Sequence, residues 1–192
     1  MFKLKAQMPK TTAHSQKGFT LTAKWQRGFT LIELLVVITI IGLLAIAILV
    51  GLDPVQQFAK VRDANRLSAT SQLGHAMEAY GITNSSDYVN ESATWITDLV
   101  NSGEIKAVPP SVNYSVVGIV ACAVNVQNNY CYDATSFAGT EPWVIFARLE
   151  AKANTSRCGA GTLAWAVYSS ANGRGGIVCA GAPVVGNNTF LP

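Results

Sequence analysis

Residues 24–52 read KWQRGFTLIELLVVITIIGLLAIAILVGL, and this stretch decides the architecture of the chain. Nineteen consecutive residues within it, from Leu34 to Leu52, carry no charge. As an α-helix this run would be about 28 Å long, which matches the hydrocarbon core of a bilayer. The sequence therefore predicts a membrane-spanning helix near the N-terminus.

Charge is distributed unevenly around that helix. Six basic residues and no acid precede Phe29, whereas the rest of the 192-residue chain contains eight basic and eleven acidic residues. The six are Lys3, Lys5, Lys10, Lys17, Lys24 and Arg27. Because basic residues stay preferentially on the cytoplasmic side, the predicted orientation is N-terminus inside and C-terminal domain outside. The later lysines and arginines form no dense patch, which argues against direct nucleic-acid binding.

Two other kinds of apolar segment fit the hydropathy alone. Ala45-Ile46-Ala47 matches the small-residue pattern of a signal-peptidase site, but that site normally follows the apolar core, and here residues 48–50 continue it. An uncleaved signal anchor also remains compatible with the hydropathy. Glu33 distinguishes these interpretations, because an acid in the apolar stretch points to a specific function.

The residues around Glu33 resemble the cleavage and assembly signal of type IV prepilins. In that family a basic leader ends in Gly and is followed by Phe-Thr-Leu-Ile-Glu and an apolar run, the order found in residues 24–38. The resemblance implies that a membrane aspartic peptidase cuts between Gly28 and Phe29 on the cytoplasmic side and methylates the new N-terminus. It also implies that Glu33 pairs with the Phe29 amine of a neighbouring subunit and fixes the register of the helices in a filament.

The chemistry of these three residues suits the implied roles. Gly28 has no side chain to obstruct an extended backbone in a protease cleft. A freed Phe29 amine is cationic near neutral pH and lies one helical turn from Glu33. An ion pair in an apolar bundle discriminates between registers, since a slip leaves both charges unpaired. A simpler interpretation of Glu33 stays open: a favourable interaction with the positive end of the helix dipole, worth about 0.3–1 kcal/mol.

A partial copy of the signal lies upstream. Residues 17–21 read KGFTL, but a cut after Gly18 would place Ala23 at the position of the acid and two basic residues inside the membrane helix. The Gly28 site is therefore preferred, which makes residues 1–28 a basic leader peptide.

The apolar helix is predicted to be interrupted between Gly51 and Pro54, because proline lacks an amide hydrogen and disfavours helix at the residue before it. Residues 54–82 then carry apolar side chains at near-helical intervals among charged ones, which predicts an amphipathic helix. The resemblance implies that residues 29–53 build a filament core and that residues 54–82 pack on a β-sheet.

Residues 83–192 predict a β-rich exported domain. A short helix is expected from Ser92 to Val100, before the first strand. The predicted strands are Tyr114–Val126, Trp143–Glu150, Thr162–Ser169 and Ile177–Ala180, with a hairpin turn at Asn172-Gly173 between the last two. A long helix followed by a mostly antiparallel sheet is an α+β architecture, which is also the layout of the resembled family.

The four cysteines are Cys122, Cys131, Cys158 and Cys179. They contain no C-x-x-C pair and lie far from either histidine, which argues against zinc, and the export signal favours disulfides. Of the three possible pairings we favour Cys122 with Cys131, across a turn near Asn128-Asn129, and Cys158 with Cys179, across the final hairpin. Each closes a short loop. Unpaired buried thiols remain the alternative.

No catalytic site is predicted. His14 falls in the leader and His75 in the amphipathic helix, and neither belongs to a nucleophile motif. Asp133 and Glu141 are close in sequence, but such a pair is usually a solvated loop. No phosphate-binding glycine motif precedes a helix, and no cofactor or metal is expected.

The resemblance thus implies a structural subunit of a type IV pilus-like filament, and not an enzyme. The expected partners are copies of the chain itself, prepilin peptidase, the pilus assembly machinery, and the cytoplasmic membrane before assembly. The expected location is that membrane, as a single-pass precursor, and then an extracellular pilus. Two alternatives stay open: a pseudopilin of a type II secretion system, and an anchored surface binding protein that does not polymerise.

Overall fold

The computed structural model describes residues 28–115, 119, 122–135 and 142–192. The predicted leader up to residue 27, with its KGFTL copy, and Glu141 lie outside the described residues. The chain divides into two compact units, Met1–Ala45 and Ile46–Pro192.

In the described part of the chain three helices come first, and five strands follow with one short helix between the third and the fourth. The helices are α1 (Leu31–Leu52), α2 (Pro54–Thr83), α3 (Trp95–Asn101) and α4 (Lys152–Thr155). The strands are β1 (Val126–Gln127), β2 (Tyr130–Ala134), β3 (Trp143–Arg148), β4 (Leu163–Ser169) and β5 (Arg174–Ala180). They form one antiparallel sheet in the order β1-β2-β3-β4-β5. The predicted α+β fold class is thereby confirmed.

α1 is apolar except for Glu33 in its first turn and Thr39, and each of its 22 residues is exposed. These 22 residues make a helix about 33 Å long at 1.5 Å per residue. This length and composition suffice to cross a membrane.

A single residue, Asp53, separates α1 from α2. Its backbone is left-handed (φ 40°, ψ 73°), which ends α1, and its carboxylate accepts a hydrogen bond from the Gln56 amide at 3.4 Å. Pro54 occupies the first position of α2, where an amide hydrogen would have no helical acceptor. The interruption is thus centred on Asp53, while Gly51 is still part of α1.

α2 packs against one face of the sheet. Leu73 and Met77 on α2 are fully buried with Trp143 and Ile145 of β3, and Tyr168 of β4 closes the same cluster. α3 contributes Trp95, Ile96 and Leu99 to it. This cluster is the main core of the unit Ile46–Pro192.

The opposite sheet face carries a second apolar cluster. Val144, Phe146, Trp165, Val167 and Val178 are buried there. The C-terminal segment covers this face with Val185 and Phe190, and the Leu191 amide donates to the Ile177 carbonyl at 2.8 Å. Alternate residues of β3 and β4 therefore serve two cores.

A charged cluster fixes the first half of α2 to the turn after β3. Arg66 is 2% exposed and donates to Glu150 at 3.0 Å and to Asp63 at 2.6 Å, and its guanidinium lies 4.4 Å from the centre of the Tyr114 ring. Arg62 also pairs with Glu150. Two arginines and two carboxylates balance in charge, which makes their burial tolerable.

The four cysteines form two disulfides with the pairing that we favoured from the sequence. Cys122 is bonded to Cys131 with a Cα–Cα distance of 6.0 Å, and Cys158 to Cys179 with 5.3 Å. The first lies beside the turn in which Asn128 and Asn129 adopt positive φ. The second ties the segment after α4 to β5.

The prediction of a strand over Tyr114–Val126 was wrong for its described part, of which only Val126 is in a strand. Gly118 lies outside the described residues. Side chains bind the backbone at the start of this segment: the Ser115 amide donates to Glu150, and Arg66 donates to the carbonyl of Asn113, the residue before it. The other predicted strands are present with shifted ends, whereas β2 was not predicted as a strand.

Candidate functional site

The segment that enters α1 contains the predicted processing residues Gly28 and Phe29. Phe29 is 85% exposed. Among the described residues, nothing lies within 4 Å of the place that a Cβ would take at Gly28. Packing against this part of the chain therefore does not demand glycine, so a glycine requirement would have to come from a partner.

Glu33 forms a reciprocal hydrogen-bonded cap with Thr30. Its Oε2 accepts from the Thr30 amide and from the Thr30 hydroxyl, both at 2.8 Å, while the Glu33 amide donates to the Thr30 hydroxyl at 3.2 Å. This is a capping box, in which two of the otherwise unpaired amides at a helix start are satisfied. The helix therefore begins in a defined place, two residues after Phe29.

The capping box was missed in the sequence, although its signature, a Thr followed three residues later by Glu before an apolar run, is legible there. It adds to the dipole interaction considered for Glu33. Both described bonds use Oε2, and an ionised carboxylate can accept at about four positions. Glu33 therefore keeps acceptor capacity for a further cationic partner while it caps α1.

His75 and Asp133, which were considered as candidate catalytic residues, each lie beside side chains that form no catalytic arrangement with them. His75 Nδ1 lies 3.3 Å from the Tyr168 hydroxyl and 3.5 Å from a Glu78 oxygen, at the surface of α2. Asp133 lies beside Glu91, and burial together with the Glu91 charge raises the pKa of Asp133. Among the described residues, no group of three or more His, Cys, Asp or Glu side chains is placed to hold a metal ion.

Comparison with known proteins identifies the class. Residues 26–49 match the model of the prokaryotic N-terminal methylation motif. The chain is also 36% identical over 117 residues to the type IV wide pilus major component PilA4 of Thermus thermophilus, an alignment covering 59% of this chain and 76% of the relative. No solved structure matches significantly. The chain belongs to the type IV pilin family.

Proposed function

We propose that this chain is a pilus subunit that is made as a precursor, cut between Gly28 and Phe29 by a prepilin peptidase, and polymerised through α1. The family assignment makes it a structural subunit and not an enzyme, and supports processing, membrane anchoring and assembly into an extracellular filament. The proposal adds the cleavage position, the residues that set the register, and the orientation in the membrane.

The observation that carries the proposal is the arrangement at the start of α1. An exposed glycine–phenylalanine bond precedes a helix whose 22 residues include one charge, Glu33, and bury none of their side chains within the subunit. In water such a surface is unstable, so α1 requires a bilayer or other copies of α1 around it. α1 can lie in a bilayer at first and among other copies of α1 later. Both environments suit a subunit that is stored in a membrane and then assembled into a filament.

In the assembled state Glu33 would need a cation, because an ionised group is costly in an apolar bundle. Cleavage supplies one: the new Phe29 amine remains cationic near neutral pH even when methylated. Each subunit would carry both the Phe29 amine, two residues before α1, and the Glu33 carboxylate. Its amine can therefore pair with the carboxylate of one neighbour while its carboxylate pairs with the amine of another. A register shift would separate both charges, and this cost would select one axial spacing.

The flanking charges support one orientation in the membrane. Six basic residues lie before Phe29, and Lys60 is the first basic residue after the span. We propose that the leader stays in the cytoplasm, where the peptidase cuts it, and that residues 54–192 lie outside.

The test combines mass spectrometry of the N-terminus with two changes at Glu33. The filament form should begin at Phe29 and carry a methyl group; a chain that begins at Met1 or Ile48 would contradict the proposal. Glu33→Ala and Glu33→Gln should both be cleaved yet form few filaments. The glutamine variant is informative because it can still cap α1 through Thr30 but carries no charge.

Normal piliation of Glu33→Gln together with loss in Glu33→Ala would assign Glu33 to helix capping and refute the ion pair. Normal piliation of both variants would refute any role of Glu33 in register. Gly28→Val should accumulate the uncut precursor, and efficient cutting of it would move the cleavage site elsewhere.

A further inference from the structure

The capping residue of α1 lies beside the bond that the peptidase is proposed to cut. α1 begins at Leu31, and Thr30 is the residue before it. Residues 28–30 are exposed and belong to neither a helix nor a strand. Thr30 therefore separates the Gly28–Phe29 bond from the helix.

One main-chain amide decides whether α1 can lengthen towards that bond. The helix begins with a bond from the Leu34 amide to the Thr30 carbonyl at 3.3 Å. Because helical bonds join residues four apart, a longer helix would next bond the Glu33 amide to the Phe29 carbonyl. In the structure the Glu33 amide donates to the Thr30 hydroxyl instead, at 3.2 Å. The hydroxyl thus takes the donor that a longer helix would use.

The other half of the capping box acts in the same direction. Glu33 Oε2 accepts from the Thr30 amide at 2.8 Å. In a longer helix this amide would donate to a carbonyl four positions earlier in the chain. Oε2 also accepts from the Thr30 hydroxyl at 2.8 Å, which leaves the hydroxyl oxygen free to accept from the Glu33 amide. Both bonds must therefore break before α1 can begin earlier.

Helical structure at Gly28 would obstruct hydrolysis of the bond. In that reaction water adds to the Gly28 carbonyl carbon, the bond to the Phe29 nitrogen breaks, and this nitrogen takes up a proton and leaves as the amine. If α1 lengthened, its next two bonds would occupy the Phe29 carbonyl and then the Gly28 carbonyl, which would accept from the Ile32 amide. A carbonyl held in a helix is reached only after local unfolding.

The neighbouring residues do not by themselves stop the helix at Leu31. Residues 28–31 contain no proline. Gly28 disfavours a helix through its backbone freedom, but it acts only once the helix has reached the bond. Amides at the start of a membrane helix are costly to leave unpaired, and this cost favours a longer helix. The Thr30 cap opposes that tendency, because it satisfies amides without lengthening the helix.

We propose that Thr30 is a positioning residue for cleavage: its hydroxyl caps α1 and so keeps the Gly28–Phe29 bond in the non-helical conformation that the peptidase binds. The inference rests on the proposed function, which supplies cleavage at this bond. Thr30 acts through the backbone and sets the fraction of precursor that is ready to bind. Apparent affinity falls in proportion to that fraction, so loss of the cap raises KM and leaves kcat unchanged.

The test measures cleavage of the full-length precursor in detergent by a purified prepilin peptidase. Thr30→Val removes the hydroxyl but keeps a similar shape and helix propensity. It should raise KM about twofold to fivefold at unchanged kcat, as for loss of a typical N-cap. Thr30→Ser and Thr30→Asn are the matched controls and should be cut like the wild type, because both side chains cap helices well. Glu33→Ala keeps the amide that Thr30 caps and is therefore still expected to be cut.

Two kinetic outcomes would overturn the inference. In the first, Thr30→Val has the KM of the wild type. In the second, the valine, serine and asparagine variants are all cut slowly, which would mean that the peptidase recognises the threonine itself. Thr30→Ala, which also lacks the hydroxyl, replaces the valine variant if that precursor does not accumulate.

Backbone carbon chemical shifts of residues 28–30 in the same precursors test the conformational step. They should be non-helical in the wild type and in Thr30→Ser, and should move towards helical values in Thr30→Val. A raised KM with unchanged shifts would also overturn the inference. Failure of the proposed function looks different, because the wild-type precursor itself would then resist the peptidase or be cut at another bond.

Discussion

The Asp63 carboxylate accepts a hydrogen bond from the main-chain amide of Glu150 at 3.0 Å, although 87 positions separate the two residues in the chain. Asp63 also accepts from the Ala151 amide at 2.9 Å and from the Asn154 side chain at 2.8 Å. One buried side chain on α2 thus accepts hydrogen bonds from the main-chain amides between the end of β3 and the start of α4. The position of α2 on the sheet depends on polar groups as well as on apolar packing.

Asp63→Asn should strongly destabilise the unit Ile46–Pro192. The NH2 group of an asparagine here would face donors where the Asp63 carboxylate now accepts hydrogen bonds. Arg66 would also lose its nearest negative charge. Removal of one partner from a buried charge pair typically costs about 3–5 kcal/mol. The measurement is chemical unfolding of the full chain in detergent, followed by tryptophan fluorescence. Asp87→Asn, the same change at an exposed residue, is the control. Equal stability of the two variants would contradict this role of Asp63.

Acid should weaken the fold through Glu150. Burial opposes ionisation of this group, but hydrogen bonds from Arg62 and Ser115 and the charge of Arg66 lower its pKa overall. A carboxyl whose pKa is lower in the folded state contributes stability that is complete above its unfolded pKa. That contribution is lost as the pH falls below the ordinary value, 4.5, towards the folded one. Unfolding free energy measured against pH should show this loss, and Glu150→Gln should flatten it.

Asp133 provides a control of opposite sign. Its raised pKa means that ionisation costs stability in the folded state, so acid should relieve this cost. Asp133→Asn should therefore steepen the acid-induced loss of stability, whereas Glu150→Gln flattens it. Parallel pH profiles for the two variants would show that neither carboxyl has the environment described.

Local signals made the first part of the fold predictable. The uncharged run, Pro54 and the acid at Glu33 each act within a few residues, so the helices and the interruption between them follow from short stretches of sequence. Cys158 and Cys179 flank a hairpin, and their pairing follows from the same short-range geometry. The Thr30 cap was equally local and was missed because Glu33 was considered only with respect to the helix dipole and a neighbouring subunit.

Long-range partners set the limit of the sequence analysis. The segment from Tyr114 has strand character, yet Arg66 and Glu150 bind its backbone from distant parts of the chain. β2 contains Asp133 between a tyrosine and an alanine and lacks a clear apolar alternation, but pairing with β1 and β3 makes it a strand. Phe58 on α2 is exposed, and this was also invisible, because the spacing of apolar residues on α2 does not say which of them face the sheet.

Gly74→Ala tests the closeness of α2 to β4. A Cβ at residue 74 would lie 2.2 Å from the Tyr168 ring, and that ring stacks on Trp143 with centroids 5.8 Å apart. The clash must move the helix or the ring, at a typical cost of about 1–3 kcal/mol, which should exceed the gain of about 1 kcal/mol from better helix propensity. We expect a lower melting temperature by circular dichroism. Gly159→Ala is the control and should be neutral, because nothing lies within 4 Å of the place that its Cβ would take. If the Gly74→Ala and Gly159→Ala variants were equally stable, the close packing of α2 on β4 would be contradicted.

Removal of the Cys158–Cys179 bridge should lower stability chiefly through the unfolded chain. The bridge closes a loop with a sequence separation of 21, and loop-closure entropy assigns it about 3 kcal/mol. A Cys158→Ala/Cys179→Ala variant should therefore unfold at lower denaturant concentration, with a steeper dependence on denaturant, because the unfolded state is less restricted and exposes more surface. The Cys122–Cys131 bridge, with a separation of 9, should contribute slightly less, about 2.5 kcal/mol. Wild-type protein in reductant loses both bridges and should therefore lose at least as much stability as the double variant. An unchanged unfolding curve for the double variant would show that β5 is held by its pairing with β4 alone.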